Sequence, residues 1–163
     1  MNQVDLYLTN KNFDITQNEV DYVDTWKEME KCVELGLTRS IGVSNFNSKQ
    51  LARLFEAAKI KPVMNQVEVH VNFNQKKLIE FCANLKVAVT AFSPLGSPGH
   101  DTPFQPAGRE IGLKAPEITE IAKKYNKTNA QVALRYLVRC QFIIKCNNIV
   151  FDWRFFYLEL LLF

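Results

Sequence analysis

Short apolar runs alternate with amphipathic helices along most of this chain, and no other feature restricts its fold as strongly. The runs are VDLYL (Val4–Leu8), RSIGV (Arg39–Val43), PVMNQVEVH (Pro62–His70), VAVTAFS (Val87–Ser93) and QFIIK (Gln141–Lys145). Apolar, unbroken strands belong to parallel sheets covered on both faces, and a helix between successive strands supplies each crossover. The pattern predicts an α/β chain of five parallel strands with helices outside.

The helices announce themselves by caps and periodicity. TWKEMEKCVELG places Thr25 and Glu28 at capping-box spacing, closes on Gly36 and aligns Trp26, Met29 and Val33. A helix from Ser48 puts Leu51, Leu54, Phe55 and Ala58 in register. Asn74 stands where it caps a third, whose stripe is Leu78, Ile79, Phe81, Cys82 and Leu85. A turn, PLGSPG, and a long polar loop, Pro98–Lys114, precede a helix with Pro116 in its first turn and Ile118, Ile121, Ala122 and Tyr125 along it. The last begins at Thr128, with Gln131 completing a capping box. A closed eight-stranded barrel takes roughly 250 residues, so 163 residues are too few to close one.

Composition excludes several classes. A net charge of +3, with no basic run, gives no footprint for nucleic acid. MNQVDLYL lacks the cationic flank and apolar core of a signal peptide. Cys32, Cys82, Cys140 and Cys146 form no C-x-x-C pair, and two histidines give no zinc spacing, so no metal is expected. Three of the cysteines fall in helix stripes and read as buried thiols, and a cytoplasmic chain is the simplest fit. The last segment, Ile149–Phe163, has twelve apolar residues among fifteen, shorter than the roughly 20 that a membrane span needs.

The strings VDLYL, DTWKEMEKCVELGLTRSIGVSNFN, KPVMNQVEVH, LIEFCANLKVAVTAFSPLGSP and EITEIAKKYNKTNAQVALRYLV resemble, in family order, the aldo-keto reductases. GVSNF beside NQVE and SPLGS is a specific combination. The resemblance implies NADPH-dependent reduction of small-molecule aldehydes and ketones to alcohols, and for this chain an incomplete (β/α)8 TIM barrel. It runs from the family's fourth barrel strand to about its eighth, so the chain reads as truncated: residues 1–148 a partial barrel, 149–163 a non-family tail.

The family's catalytic Asp, Tyr and Lys precede the matched region. Its His follows the fourth strand in the pattern L-I-H-W-P, where this chain has Leu8-Thr9-Asn10-Lys11-Asn12. Asn10 therefore occupies the His position with a carboxamide, which carries no titrating proton near neutral pH. Tyr7, of opposite strand parity, is expected to face the helices. Gln66, Glu68 and His70 share a parity, and Glu68–His70 is the one proton-transfer constellation in the sequence.

Cofactor positions carry over more fully. By resemblance Ser44, Asn45 and Gln66 contact the nicotinamide carboxamide, Phe92 replaces a stacking Tyr, and Ser93, Leu95 and Ser97 belong to the pyrophosphate loop. Gly99 replaces a commonly acidic residue, and Lys145-Cys146-Asn147-Asn148 departs from I-P-K-S, with Lys145 inside the strand. NADPH is thus expected to bind weakly and the chain to be catalytically inactive. The alternatives are a non-catalytic nucleotide-binding or regulatory remnant, or a truncated product without an evolved role. Open sheet edges at Val4–Leu8 and Phe142–Lys145 predict self-association.

Overall fold

The computed structural model describes residues 20–96, 112–140, 143–146 and 149–151. Val4–Leu8, Tyr7, Asn10, Ser97, Gly99 and most of the expected polar loop lie outside them. The chain divides into two compact units, Met1–Val63 and Met64–Phe163.

The first unit holds α1 (Tyr22–Glu34), β1 (Val43–Ser44) and α2 (Ser48–Ala57). Helix α1 begins before the expected Thr25 box. Asp21 caps it by accepting from the Val23 N–H at 3.0 Å, and Tyr22 and Val23 extend its buried face N-terminally. Of the expected apolar face Trp26 is buried, while Met29 and Val33 are half-buried. Gly36 ends the helix at φ 71; its N–H donates to the Val33 carbonyl and that of Leu37 to Cys32, both at 2.9 Å. Only a residue tolerant of the left-handed region closes both bonds.

Strand β1 is Val43–Ser44 rather than Arg39–Val43. Arg39 and Ser40 are exposed, and the Thr38 hydroxyl donates to the Ser40 carbonyl in a local turn. Helix α2 follows the expected register. Asn47 and Gln50 form a reciprocal capping box, and Leu51 and Leu54 are fully buried, each burial contributing roughly 1.5–3 kcal/mol.

In the second unit β2 (Met64–Glu68), β3 (Ala88–Phe92) and β4 (Ile143–Cys146) form a sheet in which β2–β3 and β3–β4 are parallel. β5 (Ile149–Phe151) then pairs antiparallel with β4, Cys146 opposite Ile149 and Lys145 opposite Val150. β2, β3 and β4 are parallel as expected, and β5 is an antiparallel addition from the tail that corrects the expectation of an open edge along β4. The first residues of the apolar tail take up the ladder hydrogen bonds there.

Helix α3 (Lys76–Asn84) has Gln75 at its cap, in the left-handed region at φ 49, although Asn74 Oδ1 still accepts from the Lys76 N–H at 3.4 Å. Only Cys82 of its stripe is fully buried. The end of the expected polar loop forms a 3-10 turn, Gly112–Lys114. A Cβ on Gly112 would overlap Asn72 Oδ1 and stand 2.9 Å from Val71 Cγ2, so the turn packs directly on the segment after β2. Helix α4 (Pro116–Lys124) has Pro in its first turn, and α5 (Asn129–Arg139) has the Thr128–Gln131 box.

Cys32, Cys82 and Cys140 are free thiols, but of these only Cys82 is buried; Cys32 is half-buried and Cys140, at the C-terminal cap of α5, is exposed. Burial pushes the Cys82 thiol up, partly offset by its hydrogen bond with Asn65. In an alkylation time course mapped by peptide mass, Cys140 should react in the native protein and Cys82 only on unfolding. Equal rates at the two would refute the packing of α3 on β3.

Candidate functional site

In the first unit β1 ends at Ser44, and Asn45 turns the chain in the left-handed region at φ 59. Asparagine accepts that conformation more readily than bulkier residues. Both side chains lie on exposed positions, and the next residue, Phe46, is buried. Its ring meets Tyr22 edge-on at 5.1 Å, and the Arg53 guanidinium sits 4.9 Å above Tyr22. Arg53 also pairs with Asp21. The hydrogen bond from Arg53, seconded by the Val23 N–H, holds the Asp21 carboxyl below the usual carboxylate range. Ser44 and Asn45 are thus presented between a strand end and a helix whose cap, Asn47, is already fixed.

In the second unit the parallel register sets Gln66 opposite Thr90 and Glu68 opposite Phe92. Strand alternation puts these four on one face, while Asn65, Val67, Val89 and Ala91 are buried on the other. The Thr90 hydroxyl donates to Met64 Sδ at 2.8 Å, locking the two strands side by side. Phe92, half-buried, is the last strand residue. Ser93 then enters the left-handed region at φ 47, and the Gly96 N–H closes the turn onto the Ser93 carbonyl at 2.7 Å. A left-handed Ser is uncommon, and such strain gathers at ligand-binding turns.

Gln66, Phe92, Ser93 and Leu95 are therefore brought to one strand-end region of this unit. Ser44 and Asn45 stand at the strand end of the other unit. Lys145 lies within β4, as its position in the sequence implied.

Glu68 and His70 are also brought together, His70 Nε2 standing 3.5 Å from Glu68 Oε1. His70 is buried beyond the end of β2, where its backbone exchanges hydrogen bonds with Phe73. Its Nδ1 accepts from the Asn72 N–H at 3.3 Å, which leaves the neutral ring's proton on Nε2, toward Glu68. The separation exceeds a good hydrogen bond, so the pair is a close polar contact rather than an assembled relay. Among the described residues no three His, Cys, Asp or Glu side chains gather as a metal site.

Sequence reasoning passed over the Tyr22–Phe46–Arg53 packing and the left-handed turns at Asn45 and Ser93. The available signal was the position of Asn45 and Ser93 immediately after apolar runs, where a strand must turn sharply.

Polar groups at the C-terminal ends of parallel strands, followed by tight turns, define the ligand-binding end of a βα protein. The chain belongs to the aldo/keto reductase family, whose model matches residues 1–147. It is 42% identical over 150 residues to aldo-keto reductase family 1 member A1-A of Danio rerio, covering 86% of this chain and 46% of that protein. Among solved structures it resembles the aldose reductase of Schistosoma japonicum, with a TM-score of 0.71, 41% identity, and 86% of this chain and 42% of that one covered. The Bombyx mori aldo-keto reductase solved in complex with NADP gives a TM-score of 0.71 and 39% identity, covering 82% and 43%. The fold is therefore a part of the TIM barrel, and the chain spans less than half the length of these relatives. Among the described residues no helix is long and apolar enough to cross a membrane.

Proposed function

We propose that this chain carries the cofactor side of an NADPH-dependent carbonyl reductase site. The carrying observation is the pairing of β2 with β3, which presents Gln66 and Phe92 on one face directly before the left-handed turn at Ser93. These residues fit the nicotinamide end of the nucleotide. The Phe92 ring offers a stacking face, and the Gln66 amide can both donate to and accept from a carboxamide; Ser44 and Asn45 are carried over on the family motif alone. Ser93 and Leu95, in the turn closed by Gly96, suit the pyrophosphate, and Ser97 joins them by family resemblance alone. NADPH, when bound, supplies the hydride that reduces an aldehyde or ketone to an alcohol.

A non-catalytic role for the 163-residue polypeptide alone is favoured by Asn10. General acid help accelerates such steps by roughly 10²–10⁴-fold and requires a titrating group, which a carboxamide does not supply. By the family resemblance, the catalytic Asp, Tyr and Lys belong to barrel segments ahead of the matched strings, which begin at Val4. We read residues 1–148 as the family framework and 149–163 as a tail outside it.

The expected result of a nucleotide-fluorescence titration is weak binding with NADPH and NADH nearly equal. Discrimination between them rests on 2′-phosphate contacts, and Lys145 lies inside β4 rather than after it. Phe92→Ala should weaken both about tenfold, the scale of a lost stacking face. No carbonyl-dependent oxidation of NADPH should be seen, with or without Asn10→His. A strong NADPH preference abolished by replacing Lys145 would overturn the binding reading. Turnover lost on denaturation would overturn the non-catalytic one.

A further inference from the structure

Along α4 the expected apolar stripe is covered only in part: Ala122 is buried and Ile118 half-buried, while its other two members are exposed. Ile121 is 43% exposed and Tyr125 50%. Together with Val132 they floor a cleft of about 200 Å³, whose wall carries Lys127, Arg135 and Arg139 and no carboxylate. Among the described residues no Asp or Glu pairs with Arg135 or Arg139. A fourth cation, Lys124, stands 5.3 Å from the Tyr125 ring centre, though it does not line the cleft.

Local structure holds these groups in place before any ligand arrives. Ile121 and Tyr125 are one turn apart on α4. Val132, Arg135 and Arg139 follow at spacings of three and four on α5, so they share a face. Between the helices Asn126 adopts φ 51, and the Lys127 N–H donates to the Ala122 carbonyl at 2.8 Å while that of Asn126 donates to Lys123 at 3.2 Å. This double closure fixes where Lys127 leaves the backbone. Thr128 and Gln131 then cap α5 at once. The acids of α4, Glu117 and Glu120, are exposed and form no part of the wall.

We propose that this cleft binds a small amphipathic carboxylate: an apolar body of one ring or about eight carbons, carrying one anionic head. The size follows from the volume, since a cavity of about 150 Å³ holds a benzene ring. The charge follows from the wall, because two guanidinium groups on successive turns of one helix suit a carboxylate in a planar, bidentate grip. The body lies on Ile121, Val132 and the Tyr125 face, and the head meets Arg135 and Arg139.

The test is an amide ¹H–¹⁵N titration of the full 163-residue chain with sodium 4-phenylbutyrate, against uncharged 4-phenylbutyramide at matched salt. The expected result is saturable shifts confined to α4, α5 and the turn between them, with the amide binding at least about tenfold more weakly, as loss of a charge-assisted contact implies. The double substitution Arg135→Gln/Arg139→Gln should weaken the acid by a similar factor. Arg139→Gln alone, at an exposed position, should do so in part without disturbing the fold. Ile121→Ser should cost about fivefold through lost apolar contact. Equal binding of acid and amide, unchanged affinity in the double variant, or shifts elsewhere would overturn the proposal. So would shifts of the same resonances on dilution without ligand, which would mean that a second copy occupies the cleft.

Discussion

Glu30→Ala should lower the stability of the first unit by about 2–4 kcal/mol. Glu30 is a charged residue on the inner face of α1, only 5% exposed. Its Oε1 accepts from the backbone N–H groups of Lys59 at 2.7 Å and Ile60 at 2.8 Å, just past α2. One turn earlier Trp26 Nε1 donates to the Ile60 carbonyl at 3.0 Å. The two side chains grip one short segment by its donors and its acceptor, joining α1 to the end of α2. Alanine leaves two part-buried N–H groups without a partner, each costing about 1–3 kcal/mol. Glu30→Gln keeps an oxygen for them and should lose only about 1 kcal/mol. Trp26 reports directly: in a Trp153→Phe background its fluorescence follows denaturant unfolding of this unit. Equal losses for Ala and Gln, or an alanine loss below about 1 kcal/mol, would refute the clamp.

The second large effect is expected in the second unit, where Leu137→Ala should cost about 2–5 kcal/mol. Leu137 and Ala133, one turn apart on α5, are both fully buried, and this helix packs on β4. Truncation there leaves a cavity that rigid neighbours fill poorly. Ile121→Ala is the matched control. The residue is of similar size and sits in the apolar stripe of α4, yet its exposure predicts a change within about 0.5 kcal/mol. Circular dichroism through a urea series measures both. Comparable losses would mean that the outer α4–α5 face is core rather than cleft.

The contrast between Leu137 and Ile121 marks the limit of periodicity. Both satisfy a helical apolar pattern, and a pattern says which residues share a face, not whether anything covers it. Cys140 makes the same point: it extends the α5 stripe but falls at the cap, and the helix ends before its side chain reaches the interior. Strand ends behaved similarly. PVMNQVEVH and VAVTAFS were legible as strands, yet RSIGV contributed only its last residue to β1, because ladder partners and not β-propensity decide where pairing starts. The residues proposed for the cofactor side were legible through family motifs. The left-handed turns that aim them were not, since neither Asn45 nor Ser93 is a glycine.

The sequence by itself determined the alternation of strands and helices, the capping boxes at Asn47 and Thr128, the Gly36 stop, and the set of polar residues at the strand ends. Each rests on interactions among residues a few positions apart, so local order suffices. Only the tertiary structure decided that Glu30 binds a segment some thirty residues away, that β5 covers the edge of β4, and that Glu68 meets His70. It also decided that a cationic apolar cleft stays open on α4 and α5. These depend on which surfaces find a partner once the chain is folded, and burial, unlike periodicity, is a property of the whole packed molecule.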